Sequence, residues 1–61
     1  MIKIQIQDQF GRWQHYTSVT DNPINIKHGL ESALKTQLAS KSKKVRALDA
    51  DSGLVVDMLM G

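Results

Sequence analysis

The sequence predicts an α+β fold in which four antiparallel strands form one sheet and a single helix packs across one face of it. Two observations support this prediction. Residues 24–40 form the only long stretch in which apolar side chains recur every three or four positions, the spacing of an amphipathic helix. On each side of that stretch, two strand-like segments flank a short loop that ends in glycine, which is typical of a β-hairpin.

The length of 61 residues leaves room for one domain, residues 1–61, with one hydrophobic core. A chain this short buries only about 60% of the surface that its unfolded form exposes. Domains of this size often rely on disulfides, metals or oligomerisation. With no cysteine and only two histidines, disulfides are excluded and a structural zinc site is disfavoured. We therefore expect no metal or other cofactor, and we expect self-association to provide the support.

Hydropathy and charge indicate the compartment and the kinds of partner to expect for the protein. No apolar run approaches the roughly 18 residues that span a bilayer, and the first residues lack the apolar block of a signal peptide. We expect a cytoplasmic protein with no membrane partner, and no small-molecule substrate is evident. The net charge is +2, but basic residues concentrate between positions 25 and 46 while the last fifteen residues are acidic.

The first hairpin is predicted from residues 2–7 and 12–19. Residues 2–7 alternate strictly between isoleucine and a polar residue, which indicates a strand with one buried face. Residues 12–19 are rich in aromatic and β-branched side chains and should pair back on that strand.

Two registers are possible for this hairpin. A three-residue loop at 9–11 pairs Ile6 with Gln14 and leaves Trp13 on the solvent side. A four-residue loop at 8–11, with glycine in the left-handed conformation, pairs Ile6 with Trp13 instead. Burying a tryptophan beside three isoleucines is worth several kcal/mol. We therefore predict the four-residue loop, which also turns His15 inward and Tyr16 outward.

The turn at residues 20–23 leads into the helix. Asn22 precedes a proline, which favours an extended conformation, and either Asn22 or Asn25 is a suitable N-cap. The helix is predicted to run from about residue 25 to 39, followed by a polar linker at 40–43. Its apolar stripe consists of Ile26, Leu30, Ala33, Leu34 and Leu38.

Two residues do not fit the helical pattern. Gly29 lies inside the helix at a cost of about 1 kcal/mol relative to alanine, which a close approach over Trp13 would explain. Gln37 projects near the middle of the apolar stripe. It either covers an open end of the core or forms a hydrogen bond at an interface.

The second hairpin is predicted from strands at 44–49 and 54–60, joined by the four-residue loop 50–53. The expected cross-strand pairs are Val45 with Met58, Ala47 with Val56, and Arg46 with Asp57. The complete order is ββαββ. A two-layer sandwich with strand order 2-1-3-4 satisfies the rules for short and right-handed connections.

The sheet face away from the helix is predicted to carry three apolar residues, Leu48, Val55 and Leu59. Apolar residues grouped on a nominally solvated face indicate a contact surface. We expect a non-catalytic protein-interaction module whose partner is either a second copy, giving a homodimer, or another protein.

The alternative is a nucleic-acid-associated protein. The basic segment 41–46 could contact phosphates and an outward Tyr16 could stack on a base, so the residues concerned are Lys41, Lys43, Lys44, Arg46 and Tyr16. The simpler interpretation is a solvated linker, an Arg46 paired with Asp57, and one exposed aromatic residue. We favour the simpler interpretation.

Catalysis is not indicated. His15 and His28 lie on different predicted elements, and neither has a partner at the spacing of a metal site or a catalytic triad. We expect His15 to be a hydrogen-bonded residue at the edge of the core. Three aspartates surround the last turn, but aspartates in turns usually bind their own backbone, and no calcium-loop pattern is present. We therefore expect no catalytic residues and no enzyme.

Overall fold

The computed structural model describes residues 1–8, 10–35 and 44–60. Four strands and one helix follow in the predicted order. The elements are β1 (Ile2–Gln7), β2 (Trp13–Val19), α1 (Pro23–Leu34), β3 (Lys44–Asp49) and β4 (Val55–Met60).

The strands form one antiparallel sheet in the order β2-β1-β3-β4. This is the predicted α+β fold with the predicted strand order, so both are confirmed. Strands β1 and β3 occupy the centre, and β2 and β4 are the two edges. The helix contacts all four strands, which gives the molecule its two layers.

The core lies between the helix and the sheet face that it covers, which we call the inner face. Its buried side chains are Ile2, Ile4, Ile6, Leu30, Ala33, Val45 and Ala47. Successive residues of a strand point to opposite faces, so the alternation in β1 places every isoleucine of that strand in the core. The other side of the sheet is the outer face.

The helix begins at an asparagine cap. The Asn22 side chain accepts hydrogen bonds from the amides of Ile24 (2.9 Å) and Asn25 (3.4 Å), and Pro23 occupies the first turn, where its missing amide costs nothing. The helix ends at Leu34, with Lys35 as its C-cap. The predicted last turn, Gln37 and the linker all fall within residues 36–43, outside the described residues.

The predicted register of the first hairpin is wrong. Gln7 pairs with Trp13 and Ile6 with Gln14, which is the register of the three-residue loop. The amide of Asp8 donates to the carbonyl of Arg12 at 2.8 Å and closes the loop. Trp13 therefore lies on the outer face instead of under the helix.

A β-bulge then exchanges the faces along the rest of β2. The register shifts between Ile4 and Gln5, so that Ile4 faces Thr17 while Gln5 faces His15. The extra residue, Tyr16, reaches the helix, because its hydroxyl lies 3.0 Å from Oγ of Ser32. The bulge thus places Thr17 and Val19 on the side of the sheet that the helix covers, although Trp13 at the start of the same strand lies on the other side.

The close packing of the helix explains why the tryptophan is excluded. A Cβ atom added to Gly29 would lie 3.0 Å from Cγ1 of Ile4 and 3.3 Å from Cγ1 of Val19. The helix therefore rests directly on β1 and β2, and no room is left for an indole between them. Gly29 is needed for a close approach, as predicted, but the residues beneath it are Ile4 and Val19 and not Trp13.

In the second hairpin the predicted loop is confirmed. The amide of Asp49 donates to the carbonyl of Leu54 at 2.9 Å, so residues 50–53 form the loop, and Gly53 has a positive φ of 76°. Leu48 pairs with Val55, as the predicted register requires. Beyond that pair, a second bulge shifts the register by one residue.

The second bulge makes the remaining predicted pairs wrong. The observed pairs are Ala47 with Asp57, Arg46 with Met58, Val45 with Leu59, and Lys44 with Met60. Val56 is the extra residue, and Arg46 lies opposite Met58 in the ladder instead of the expected Asp57.

Candidate interaction surface

The outer face of the sheet can be read from the strand pairing, because directly opposed residues share a face. Gln5 pairs with both His15 and Arg46, and Arg46 pairs in turn with Met58. The members of the outer face are Lys3, Gln5, Gln7, Trp13, His15, Ser18, Lys44, Arg46, Leu48, Val55, Met58 and Met60. It is polar over β1 and β2 and becomes apolar towards β4.

The apolar part lies on the edge strand and is open to solvent. Val55 is 47% exposed, Met58 43% and Met60 68%, and the half-buried Leu48 of β3 borders them. We call Leu48, Val55, Met58 and Met60 the β4 patch. Exposed apolar side chains that are grouped on one surface are a feature of contact sites.

One member of the predicted contact surface does not belong to it. Leu59 pairs with Val45, and it packs against the core on the inner face. The bulge at Val56 is the cause, since one additional residue moves every later side chain of β4 to the opposite face. Met58 and Met60 take the outward positions that the simple alternation assigned to Asp57 and Leu59.

The polar part is organised around Arg46. Its guanidinium carbon lies 4.1 Å from the centroid of the Trp13 ring, and its Nε donates to Oε1 of Gln5 at 2.8 Å. A guanidinium over an indole face is attracted by the ring quadrupole. These contacts draw the arginine towards β1 and β2 and away from the β4 patch.

The ionisable groups of the outer face are predominantly cationic. Lys3, Lys44 and Arg46 lie on it, and within the four described strands no carboxylate shares it. Asp57 pairs with the inward Ala47, so its carboxylate is not on this face. Any surface that contacts the outer face must accept or avoid this positive charge.

The structure separates the predicted nucleic-acid residues. Lys44 and Arg46 lie on the outer face, whereas Tyr16 is held on the inner side by its hydrogen bond to Ser32. Lys41 and Lys43 lie outside the described residues. The outward aromatic residue is Trp13, so the predicted outward position of Tyr16 is wrong.

The two histidines lie on different elements of the structure. His15 is exposed on the outer face opposite Gln5, so the expectation of an inward residue at the core edge is wrong. His28 is exposed on the helix, outside the apolar stripe, as predicted. The two lie on opposite sides of the sheet.

Three aspartate carboxylates bind backbone amides close to them in the chain. Asp49 accepts from the amide of Asp51 at 2.9 Å, and Asp57 accepts from the amide of Met58 at 2.8 Å. Asp8 accepts from the Gln14 side chain and from the amides of Arg12 and Phe10. These hydrogen bonds, that of Gln14 first, hold the pKa of Asp8 below its ordinary value.

The backbone edge of β4 carries two features that oppose pairing with another strand. The bulge at Val56 interrupts its regular hydrogen-bonding pattern, and the Asp57 carboxylate occupies the amide of Met58. Bulges and charged residues are the usual protection of edge strands. A partner of β4 is therefore expected on its outer face and not along its edge.

Trp13, Met58 and Met60 are the members of this surface that the sequence did not predict. Their position depends on two bulges, and no residue type signals a bulge by itself. Residues 54–60 are apolar at every position except Asp57, so the sequence indicated an apolar strand without indicating which side chains face outward.

The chain matches no protein-family model, no curated protein and no solved structure. Within the described ranges, no three His, Asp or Glu side chains come together to hold a metal ion. Among the same residues, no helix has the length and apolar character that crossing a bilayer requires.

Proposed function

We propose that this protein is a non-catalytic interaction module that self-associates through the outer face of β4. The observation that supports the proposal is the β4 patch, in which Val55, Met58 and Met60 remain between 43% and 68% exposed beside Leu48. A two-fold axis through the patch would bury the same residues from both copies without any further sequence feature.

The energies make the association weak but measurable. The exposed parts of the three most open residues amount to roughly one and a half side chains, whose burial is worth about 2–5 kcal/mol per protomer. Two protomers together gain about twice that, which must offset an association cost of about 4–15 kcal/mol. The terms are comparable, so we expect dimers near millimolar concentration and monomers at low micromolar concentration.

The charge of the outer face determines how self-association should depend on the salt concentration. Two copies that meet at this surface bring Lys44 of each protomer close to the contact, while Arg46 is drawn away by Trp13 and Gln5. Like charges repel, and added salt screens the repulsion. Self-association should therefore strengthen as the salt concentration rises.

The experiment is sedimentation velocity from micromolar to near-millimolar concentration, with two matched variants. Val55→Lys places a charge inside the patch. Val56→Lys places the same charge on the neighbouring bulge residue, which is equally exposed (49% against 47%) but lies outside the ladder pairing that places Val55 on the outer face.

We expect the wild-type chain and Val56→Lys to dimerise and Val55→Lys to remain monomeric. A wild-type chain that stays monomeric across the range would refute self-association. Equal loss of dimer in both variants would indicate a contact along the strand edge instead of the outer face.

A second candidate function, nucleic-acid binding, is favoured by the cationic outer face. Lys3, Lys44 and Arg46 lie there with the outward Trp13, which gives phosphate contacts and one stacking surface. Titration with single- and double-stranded oligonucleotides at two salt concentrations tests it. Phosphate contacts require binding that weakens with salt, the opposite of the trend expected for the dimer.

A further inference from the structure

An open cleft of about 760 Å³ lies between the other edge strand, β2, and the helix. Its strand wall consists of residues 16–20, and its helix wall includes Asn25, His28 and Ser32. At one end the hydroxyls of Tyr16 and Ser32, 3.0 Å apart, join the two walls. The cleft is on the opposite side of the molecule from β4 and shares no residue with the β4 patch.

The strand wall is formed by backbone as well as by side chains. Every residue from Tyr16 to Thr20 borders the cleft, although successive side chains of a strand point to opposite faces. Thr17 pairs with the inward Ile4 and Ser18 with the outward Lys3, yet both border the same space. The feature that they share is the free edge of the strand, so the cleft runs along that edge.

The free edge has hydrogen-bonding groups to offer. Within the described residues, β2 makes no backbone hydrogen bond outside its ladder with β1. Each strand residue carries one donor and one acceptor, and in an antiparallel ladder alternate residues direct theirs away from the partner strand. An extended segment of another chain is the partner that satisfies such a row.

The two edges of the sheet differ in a way that favours β2. Both edge strands contain a bulge, at Val56 of β4 and at Tyr16 of β2, so the bulges do not distinguish them. On β4 the Asp57 carboxylate also occupies the amide of Met58. On β2 the segment 17–19 pairs regularly with β1. No carboxylate borders the cleft among the residues described.

We propose that this cleft binds an extended peptide segment of another protein, which adds to β2 as a fifth strand and lies beside the helix. The segment 17–19, which pairs regularly with β1, accommodates about three residues of an added strand, at about 3.3 Å each. Alternate side chains of the peptide would enter the cleft, where hydroxyls and His28 favour small or polar groups. The site is independent of self-association through β4.

The experiment is a phage-displayed library of random heptapeptides, selected on the folded protein and followed by titration of the recovered synthetic peptides. Asn25→Trp fills the cleft from an exposed position on the helix, and Lys27→Trp places the same side chain on the helix away from it. A second control uses the same peptides with alternate backbone nitrogens methylated, which removes their hydrogen bonds without changing the protein.

We expect binding to weaken by roughly tenfold or more with Asn25→Trp and with methylation in one of the two alternating patterns, and to persist with Lys27→Trp. Recovery of no peptide would overturn the proposal. So would binding that survives both methylation patterns, because such a peptide does not pair with the strand edge. Dimerisation that persists in Val55→Lys and is lost in Asn25→Trp would assign the edge to a second copy instead.

Discussion

Replacing Gly29 with alanine tests how closely the helix lies on the sheet. In an exposed part of a helix, this change would stabilise the protein by about 1 kcal/mol, because glycine loses more backbone entropy on folding. At this position, however, the added Cβ would lie 3.0 Å from Cγ1 of Ile4, which is completely buried, so the Ile4 side chain would have to shift within the core. The two effects oppose each other.

The packing term is expected to be the larger. Adding a methyl group to a filled core costs about 1–3 kcal/mol, which exceeds the helical gain over most of that range. Contact of the same Cβ with Val19 at 3.3 Å closes a second direction of relaxation. We expect a net loss of about 1 kcal/mol, which lowers the melting temperature of a domain of this size by about 4–8 °C.

Thermal unfolding followed by circular dichroism at one low protein concentration measures this loss without a contribution from association. Lys27→Gly and Lys27→Ala are the control pair, since Lys27 is exposed on the same helix and reports the helical preference alone. Alanine should exceed glycine in stability at position 27 and fall below it at position 29. A stabilised Gly29→Ala variant would show that the helix does not touch β1 and β2 as described.

Three further predictions concern the loops and the outer face. Because the pKa of Asp8 is lowered in the folded state, its carboxylate stabilises the fold above the unfolded-state pKa, and this contribution is lost as the pH falls below about 4. Urea unfolding should show that the wild type loses stability over this pH range and that Asp8→Asn loses less. Gly53 has a φ of 76° with open space around it. Gly53→Ala should therefore lower the free energy of unfolding by about 1–2 kcal/mol through backbone strain alone, and Gly53→Asn by distinctly less. Equal losses of stability in the two variants would argue against that strain. Acrylamide should quench the fluorescence of Trp13. Arg46→Ala should increase that quenching and lower the stability by about 0.5–1 kcal/mol, whereas Lys44→Ala should change neither quantity. Fluorescence that acrylamide does not quench would place the indole inside the core.

The fold could be predicted because its signals are local and agree with each other. The alternation in residues 2–7, the helical spacing after Pro23 and the two loops that end in glycine each indicate an element within a few residues. The strand order then follows from short connections and from the need to cover one apolar face. The order 2-1-3-4 satisfies these conditions, and it is the order observed.

The faces of the edge strands could not be predicted, because each depends on a bulge. Trp13 was predicted to be buried because its apolar area is large, but burial also requires volume between the helix and the sheet. The close contact of Gly29 with Ile4 leaves no such volume. In β4, Met58 and Leu59 are equally apolar, so their exchange between the two faces leaves the sequence pattern unchanged. Of the three apolar residues predicted for the outer face, Leu48 and Val55 therefore lie on it and Leu59 does not.

The contact surface between two copies can be tested most directly with the methyl groups of the three methionines. Met58 and Met60 lie in the β4 patch, whereas Met1 is similarly exposed, at 64%, but borders the cleft beside β2. In spectra of protein labelled at the methionine methyl carbons, raising the concentration from micromolar to near-millimolar should shift the signals of Met58 and Met60 and leave that of Met1 in place. A shift of Met1 alone, or of none of the three, would contradict self-association through the outer face of β4.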